Sequence, residues 1–254
     1  MTGSAATIES RTLTPAQLTG RTRSHVIDVP HPRLTMHQEA ANAFLALRAA
    51  AATAGIELSP ASSFRDFDQQ VAIWNDKFAG RRPLLDKNGR PLDRGALSDE
   101  AAVAAILIWS ALPGASRHHW GTEVDVIDVA GLTAGQQARL VPEEFAPGGP
   151  FERLHDWLEI HAAHYGFYRP YDIDRGGVQP EPWHLSYAPI AQPALPTLTV
   201  EVLRQCLAGV ELGGADVVSA GLRSIHARYV ASVAAAAPAV LAANGILSPA
   251  ARPS

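Results

Sequence analysis

Apolar and polar residues alternate most regularly over Thr122 to Asp128 (TEVDVID), where the β-branched content predicts a half-buried strand. On such a strand Glu123, Asp125 and Ile127 share one face, and Val124 and Val126 point to the other. Ile56 to Phe64 reads as a second strand leading into Arg65. Helical spacing governs other stretches. His37 to Ala54 is Ala-rich, carries Phe44, Leu45 and Leu47, and ends at Gly55. Asp66 suits the cap of a helix bearing Gln70, Ile73, Trp74 and Phe78. Ser98, followed by Asp99 and Glu100 and an apolar run to Leu112, has the chemistry of a helix start. Phe151 to Tyr165 repeats apolar positions at helical spacing and stops at Gly166. Between these, Arg81 to Arg94 places Asn88-Gly89 between short apolar pieces, which predicts a hairpin or a lid-like loop.

The pattern is weakest at the two ends. Residues 1–24 are rich in Ser, Thr and Gly and predict a weakly ordered extension. After Pro189 a Pro-rich linker gives way to an Ala-, Val- and Leu-rich tail, so residues 195–254 are expected to form helices appended to a domain spanning 25–190. No internal repeat occurs.

Composition narrows the function. A chain of 254 residues can bury a substantial core. The net charge of −4 is mild, and the chain lacks a basic cluster interleaved with aromatics, which argues against a nucleic-acid partner. The single Cys206 rules out both an internal disulfide and a cysteine-based structural zinc site. The first thirty residues lack the apolar core of a secretory signal, and Ala101 to Trp109 is too short to cross a bilayer. As written, the chain is expected in the cytoplasm without stable membrane insertion; with a leader ahead of it, the expectation becomes the periplasm or cell envelope. The pattern fixes no oligomeric state.

The candidate chemistry lies in two segments, Ser116 to Asp125 (SRHHWGTEVD) and Glu181-Pro182-Trp183-His184. His118, Asp125 and His184 supply two imidazoles and a carboxylate, the three protein ligands of a catalytic zinc site that keeps a position for water. Glu181, three residues before His184 on a link stiffened by Pro182, is the candidate general base. His119 competes with His118 as ligand if the turn is displaced, and otherwise shapes the pocket wall. His161 and His164 read as a polar helix face. Trp183 reads as packing, and Asp128 and Glu123 as solvated groups or supports of the ligands. No His-Glu-x-x-His segment exists.

These residues resemble the signature of the zinc D-alanyl-D-alanine carboxypeptidases, the family of the vancomycin-resistance D,D-peptidases and the L,D-carboxypeptidases. Ser116, His118, Gly121 and Asp125 match its Ser-x-His-x-x-Gly-x-Ala-x-Asp pattern; Glu181, Trp183 and His184 match its Glu-x-x-His segment. Ser62-Ser63-Phe64-Arg65, with Gln70 downstream, resembles a third segment, Ser-Gly-Tyr-Arg. Glu123 stands where the family usually has Ala, and Ser63 where it has Gly. The resemblance implies an α+β fold with a small antiparallel sheet carrying the site, flanking helices and a C-terminal helical appendage. It implies one zinc ion and peptidoglycan-derived peptides as partners, cleaved before a C-terminal D-amino acid. Arg65, Ser116 and Gln70 would bind substrate. Glu123 would support the ligands or meet a cationic part of the substrate. Alternatives on the same scaffold are an L,D-carboxypeptidase or an endopeptidase. A non-catalytic cell-wall-binding module is a further alternative, against which Glu181 argues, since a structural site needs no base.

Overall fold

A computed structural model describes residues 12–237 and Val240. A four-stranded antiparallel sheet at its centre has the order β3-β6-β8-β7, with β3 at Leu58–Ser62, β6 at Glu123–Asp128, β7 at Phe167–Tyr168 and β8 at His184–Tyr187. Two small hairpins accompany it: β1 (Val26–Val29) with β2 (Leu34–His37), and β4 (Leu84–Leu85) with β5 (Pro91–Leu92). Pro60 is tolerated in β3 because that strand lies at the sheet edge, where a bulge shifts the register between Pro60 and Ser62. Val124 and Val126 are fully buried on the core face of β6, as the alternation predicts.

Helices form in the stretches with helical spacing. Helix α2 (Gln38–Thr53) buries Ala40, Phe44 and Leu47. Helix α3 (Phe67–Phe78) begins with a reciprocal capping box between Asp66 and Gln69. Helix α4 (Asp99–Trp109) is capped by Ser98, and α5 (Glu152–His161) runs through a 3-10 turn to a left-handed Gly166. The Asn88-Gly89 turn joins β4 to β5. Among the described residues no helix is long and apolar enough to span a membrane.

The ends differ from their compositional reading. Within the expected extension, residues 1–11 lie outside the described residues, but the part from 12 onward is tied down. Thr14 and Gln17 cap helix α1 (Pro15–Leu18), and Leu13 and Leu18 are buried in the main core. The expected linker is helix α6 (Ala188–Ala194). Pro189 is compatible with its first turn, and its small side chains pack closely enough to be buried. The expected tail helices are present as α7 (Val200–Leu207) and α8 (Ala215–Ile225). They dock on the main core through Leu203, Val218, Leu222 and Ile225. The indole N–H of Trp74 on α3 donates to Gly213 O at 2.9 Å, which fixes the turn between them. Residues 241–254 lie outside the described residues.

Candidate active site

Strand pairing brings the two motif segments together. In the β6–β8 register Asp125 sits opposite His184, and Glu123 opposite Ser186. His118 enters from a 3-10 turn, Arg117–Trp120, that ends at Gly121 in the left-handed region (φ 67°). A Cβ there would meet Val26 Cγ1 at 2.4 Å and His37 N at 2.9 Å, so only glycine fits. His118, Asp125 and His184 are all buried, and each offers one ligand atom within 4.8 Å of the others. His118 Nε2 lies 3.4 Å from Asp125 Oδ2, and His184 Nδ1 lies 3.1 Å from Asp125 Oδ1 and 3.3 Å from Glu181 Oε2.

The outward nitrogens explain this orientation. His118 Nδ1 donates to Ser63 O at 2.7 Å, leaving Nε2 toward Asp125. His184 Nε2 donates to Glu123 Oε2 at 2.7 Å, leaving Nδ1 toward Asp125 and Glu181. Such outer partners fix the tautomer of metal-binding imidazoles. Asp125 Oδ1 is buried with no hydrogen-bond partner, an atom that a cation would satisfy. The donor set of two imidazoles and one carboxylate suits a borderline metal such as zinc. Burial would lower the His184 pKa, but the adjoining Asp125, Glu123 and Glu181 carboxylates outweigh it and hold it well above the ordinary value. Burial pushes the Asp125 carboxyl up, while His118 and His184 bring it well below the usual range. Three carboxylates, those of Asp125, Glu123 and Glu181, thus converge on the His184 ring.

Glu123 is neither solvated nor in reach of substrate, because it is fully buried. It accepts from His184, from Ser186 Oγ at 2.8 Å, from Thr122 Oγ1 at 2.8 Å and from Arg117 Nη2 at 3.3 Å. Burial would raise its pKa, and the Arg117 guanidinium with the His184 hydrogen bond lowers it to about 2. Of the three sequence readings for Glu123, support of a ligand is the one that matches these contacts.

Other expected site residues divide. Arg65 and Ser116 line the same cavity as the trio and Glu181. Arg65 Nη1 donates to Gln70 Oε1 at 2.8 Å, and Nη2 reaches Ser62 Oγ at 3.4 Å. Burial lowers the Arg65 pKa, and the nearby Asp125 and Glu181 carboxylates partly offset this. Gln70, expected to bind substrate, is instead fully buried; its amide holds Arg65 and donates to Ala111 O at 2.7 Å. His119 is neither ligand nor pocket wall. Its Nδ1 donates to Arg65 O at 2.6 Å and its Nε2 accepts from Gly114 N–H at 3.2 Å, so both nitrogens are engaged. Burial takes its pKa down to about 3, so the ring is neutral and braces the Arg65 backbone. Asp128 is likewise buried and accepts from the backbone N–H groups of Glu57 and Ala130. Trp183 packs as expected, tilted against Phe145 at 5.8 Å. His161 stacks on Trp157.

Sequence reasoning missed Tyr171, whose ring centroid lies 5.0 Å from that of His184 and whose carbonyl accepts from Glu181 N–H at 2.9 Å. It also missed Arg117, buried beneath the site with Nη2 on Tyr168 Oη, Ser186 Oγ and Glu123. Neither lies in a periodic element that would have marked it. The cavity encloses about 630 Å³.

The chain is similar to several known proteins. Two Haemophilus influenzae proteins, both described only as uncharacterized, are similar to the chain. One is 47% identical over 103 residues, covering 39% of this chain and 70% of the relative. The other is 38% identical over 121 residues, covering 47% and 92%. Among solved structures, VanYB in complex with D-alanine-D-alanine aligns at 21% identity over 76% of this chain and 87% of that one, with a TM-score of 0.46. Residues 33–190, more than half of the chain, match the VanY family of D-alanyl-D-alanine carboxypeptidases, and the chain belongs to that family.

Proposed function

We propose that the protein is a zinc-dependent carboxypeptidase that hydrolyses the bond before a C-terminal D-amino acid, D-Ala first, of peptidoglycan peptides. The observation that carries this reading is the convergence of His118 Nε2, His184 Nδ1 and Asp125 beside Glu181 in one cavity, with the other nitrogen of each imidazole already engaged. A zinc ion held by these three residues would supply a Lewis acid for the scissile carbonyl and lower the pKa of a bound water. Glu181, 3.3 Å from His184 Nδ1, is placed to take the proton of the attacking water and deliver it to the leaving amine. Tyr171 and Trp183 wall the site against bulk water.

Arg65 is the anchor for the substrate's terminal carboxylate. Gln70 and Ser62 fix its guanidinium, and no carboxylate among the described residues forms an ion pair with it. Ser116 on the same wall offers a second polar contact. Losing a charge-assisted hydrogen bond costs about 1.5 to 3 kcal/mol, so Arg65→Ala should lower kcat/KM roughly tenfold to a few hundredfold. Arg65→Lys should recover only part, because an ammonium cannot reproduce the bidentate fork. The test is a pair of peptides ending in D-Ala-D-Ala, one with a free C-terminus and one amidated, alongside a peptide ending in a single D-Ala. Wild type should release D-Ala from a free terminus and lose activity on the amide, while Arg65→Ala should discriminate little. Equal cleavage of free and amidated peptides by wild type would replace this reading with an endopeptidase. The D,D and single-D-Ala substrates separate the D,D from the L,D specificity.

Glu123 is expected to matter through metal affinity. Loss of an outer-shell partner typically costs about tenfold to a hundredfold in metal binding. Glu123→Gln keeps an acceptor for His184 and should bind zinc more weakly by an amount toward the lower end of that range. Glu123→Ala also strands the buried Arg117, so it should lose thermal stability as well. Chelator competition measures the first effect and thermal unfolding the second. Unchanged zinc affinity in both variants would remove Glu123 from the site.

A further inference from the structure

Two further segments line the cavity beside the residues described above. One is the tip of the β4–β5 hairpin, presenting Lys87 and Asn88; the other is the segment 139–143, presenting Arg139, Leu140 and Glu143. Both are built to hold their shape. Asp86 Oδ1 accepts from the N–H groups of Asn88 at 2.8 Å and Arg90 at 2.9 Å, and Asp86 O accepts from the Trp109 indole at 2.9 Å, which pins the tip to α4. In the second segment, Leu140 is the one non-glycine residue among those described with positive φ (53°), a sparsely populated conformation for a branched side chain. The buried Glu144 enforces it by accepting from the N–H groups of Arg139 and Leu140 at 3.0 and 2.9 Å. Backbone strain that the surroundings over-determine is concentrated at functional walls.

We propose that these walls form a recognition site for a carboxylate carried by the peptide on the N-terminal side of the scissile bond. The substrate class that fits is a stem peptide whose internal diamino acid has a free carboxylate, as diaminopimelate does and lysine does not. The inference rests on the peptidase reading above and names its substrate more closely. Lys87 forms no ion pair or hydrogen bond with another described residue through its ammonium group, and Arg139 only leans on Glu144 at 3.5 Å with 71% of its side chain exposed. Two cations therefore line the same cavity with little internal neutralisation. Glu143 completes the rim with a negative charge that suits an ammonium. The end of a diaminopimelate side chain carries an ammonium and a carboxylate on one carbon and can meet both signs. A lysine side chain offers only the ammonium, which Glu143 would accept equally, so discrimination falls to Lys87 and Arg139. Rigid walls lower the ordering cost of such a contact.

The test uses two synthetic peptides identical except at that internal residue, diaminopimelate or lysine, with the same D-Ala terminus. Zinc-loaded wild type is assayed for kcat and KM, and the Glu181→Ala protein for peptide binding by calorimetry, so that recognition is read with or without turnover. Partly exposed ion pairs contribute modestly, so the diaminopimelate peptide should be favoured about threefold to tenfold, in KM and in binding, with the margin shrinking as salt is added. The Lys87→Ala, Arg139→Ala double variant should bring the two peptides together. Binding preference without cleavage of either peptide would support this site while sinking the peptidase reading. Cleavage of both with no preference would sink this site and leave the peptidase reading standing. Equal or absent binding, or a preference undiminished in the double variant, overturns the proposal.

Discussion

His184→Ala protein is expected to emerge from purification nearly free of zinc and nearly inactive. The residue occupies the centre of the arrangement: β8 places it opposite Asp125, Glu123 fixes its ring, and its Nδ1 faces both Asp125 and Glu181. Removing it takes one of the three proposed ligands and leaves Asp125 and Glu123, both buried, without an imidazole between them. A catalytic metal supplies several kcal/mol of transition-state stabilisation, so its loss should cost about a thousandfold or more in turnover. The uncompensated carboxylates should also lower the unfolding temperature. Metal content by mass spectrometry, read beside circular dichroism to show that the fold persists, separates the two effects. Full zinc occupancy in a folded His184→Ala protein would remove His184 from the ligand set.

Glu181→Ala should have a similarly large effect on rate and almost none on metal. Its carboxylate adjoins the trio but is not needed to complete it, and Pro182 and Trp183 keep the segment in place without it. General acid-base groups contribute about a hundredfold to ten-thousandfold. The variant should keep zinc, fold and substrate binding while kcat falls by that factor. Glu181→Gln should be equally slow, since an amide accepts a hydrogen bond but does not take the proton. Turnover unchanged in both would move the base to Glu143, the other glutamate lining the cavity.

Much of the centre of this fold is legible in the chain because its determinants are local. The alternation of TEVDVID sets which side chains of β6 face the site, and the Asp66 and Ser98 caps set where α3 and α4 begin. The motif spacing brings His118, Asp125, His184 and Glu181 into view as a set, and the structure gathers them. What escapes is depth and partnership. Alternation puts Glu123 on the face of Asp125, but only the β6–β8 pairing places Ser186 and His184 around it. Gln70 and His119 read as site residues because they accompany the motifs, yet their polar atoms hold Arg65 from behind. The Pro-rich composition after Pro189 reads as a linker, since composition does not reveal that small residues there meet a core face. The wall at 139–143 has no periodicity, and its shape depends on Glu144 bonding back to the chain.

Peptide hydrolysis by this protein is expected to depend on one metal ion held by His118, Asp125 and His184. The most direct measurement strips the protein of metal, adds zinc in steps and follows D-Ala released from a peptide ending in D-Ala-D-Ala. Release should be negligible at the start, rise in proportion to zinc up to one ion per chain and level off there. Full release by the stripped protein before any zinc is added would contradict it.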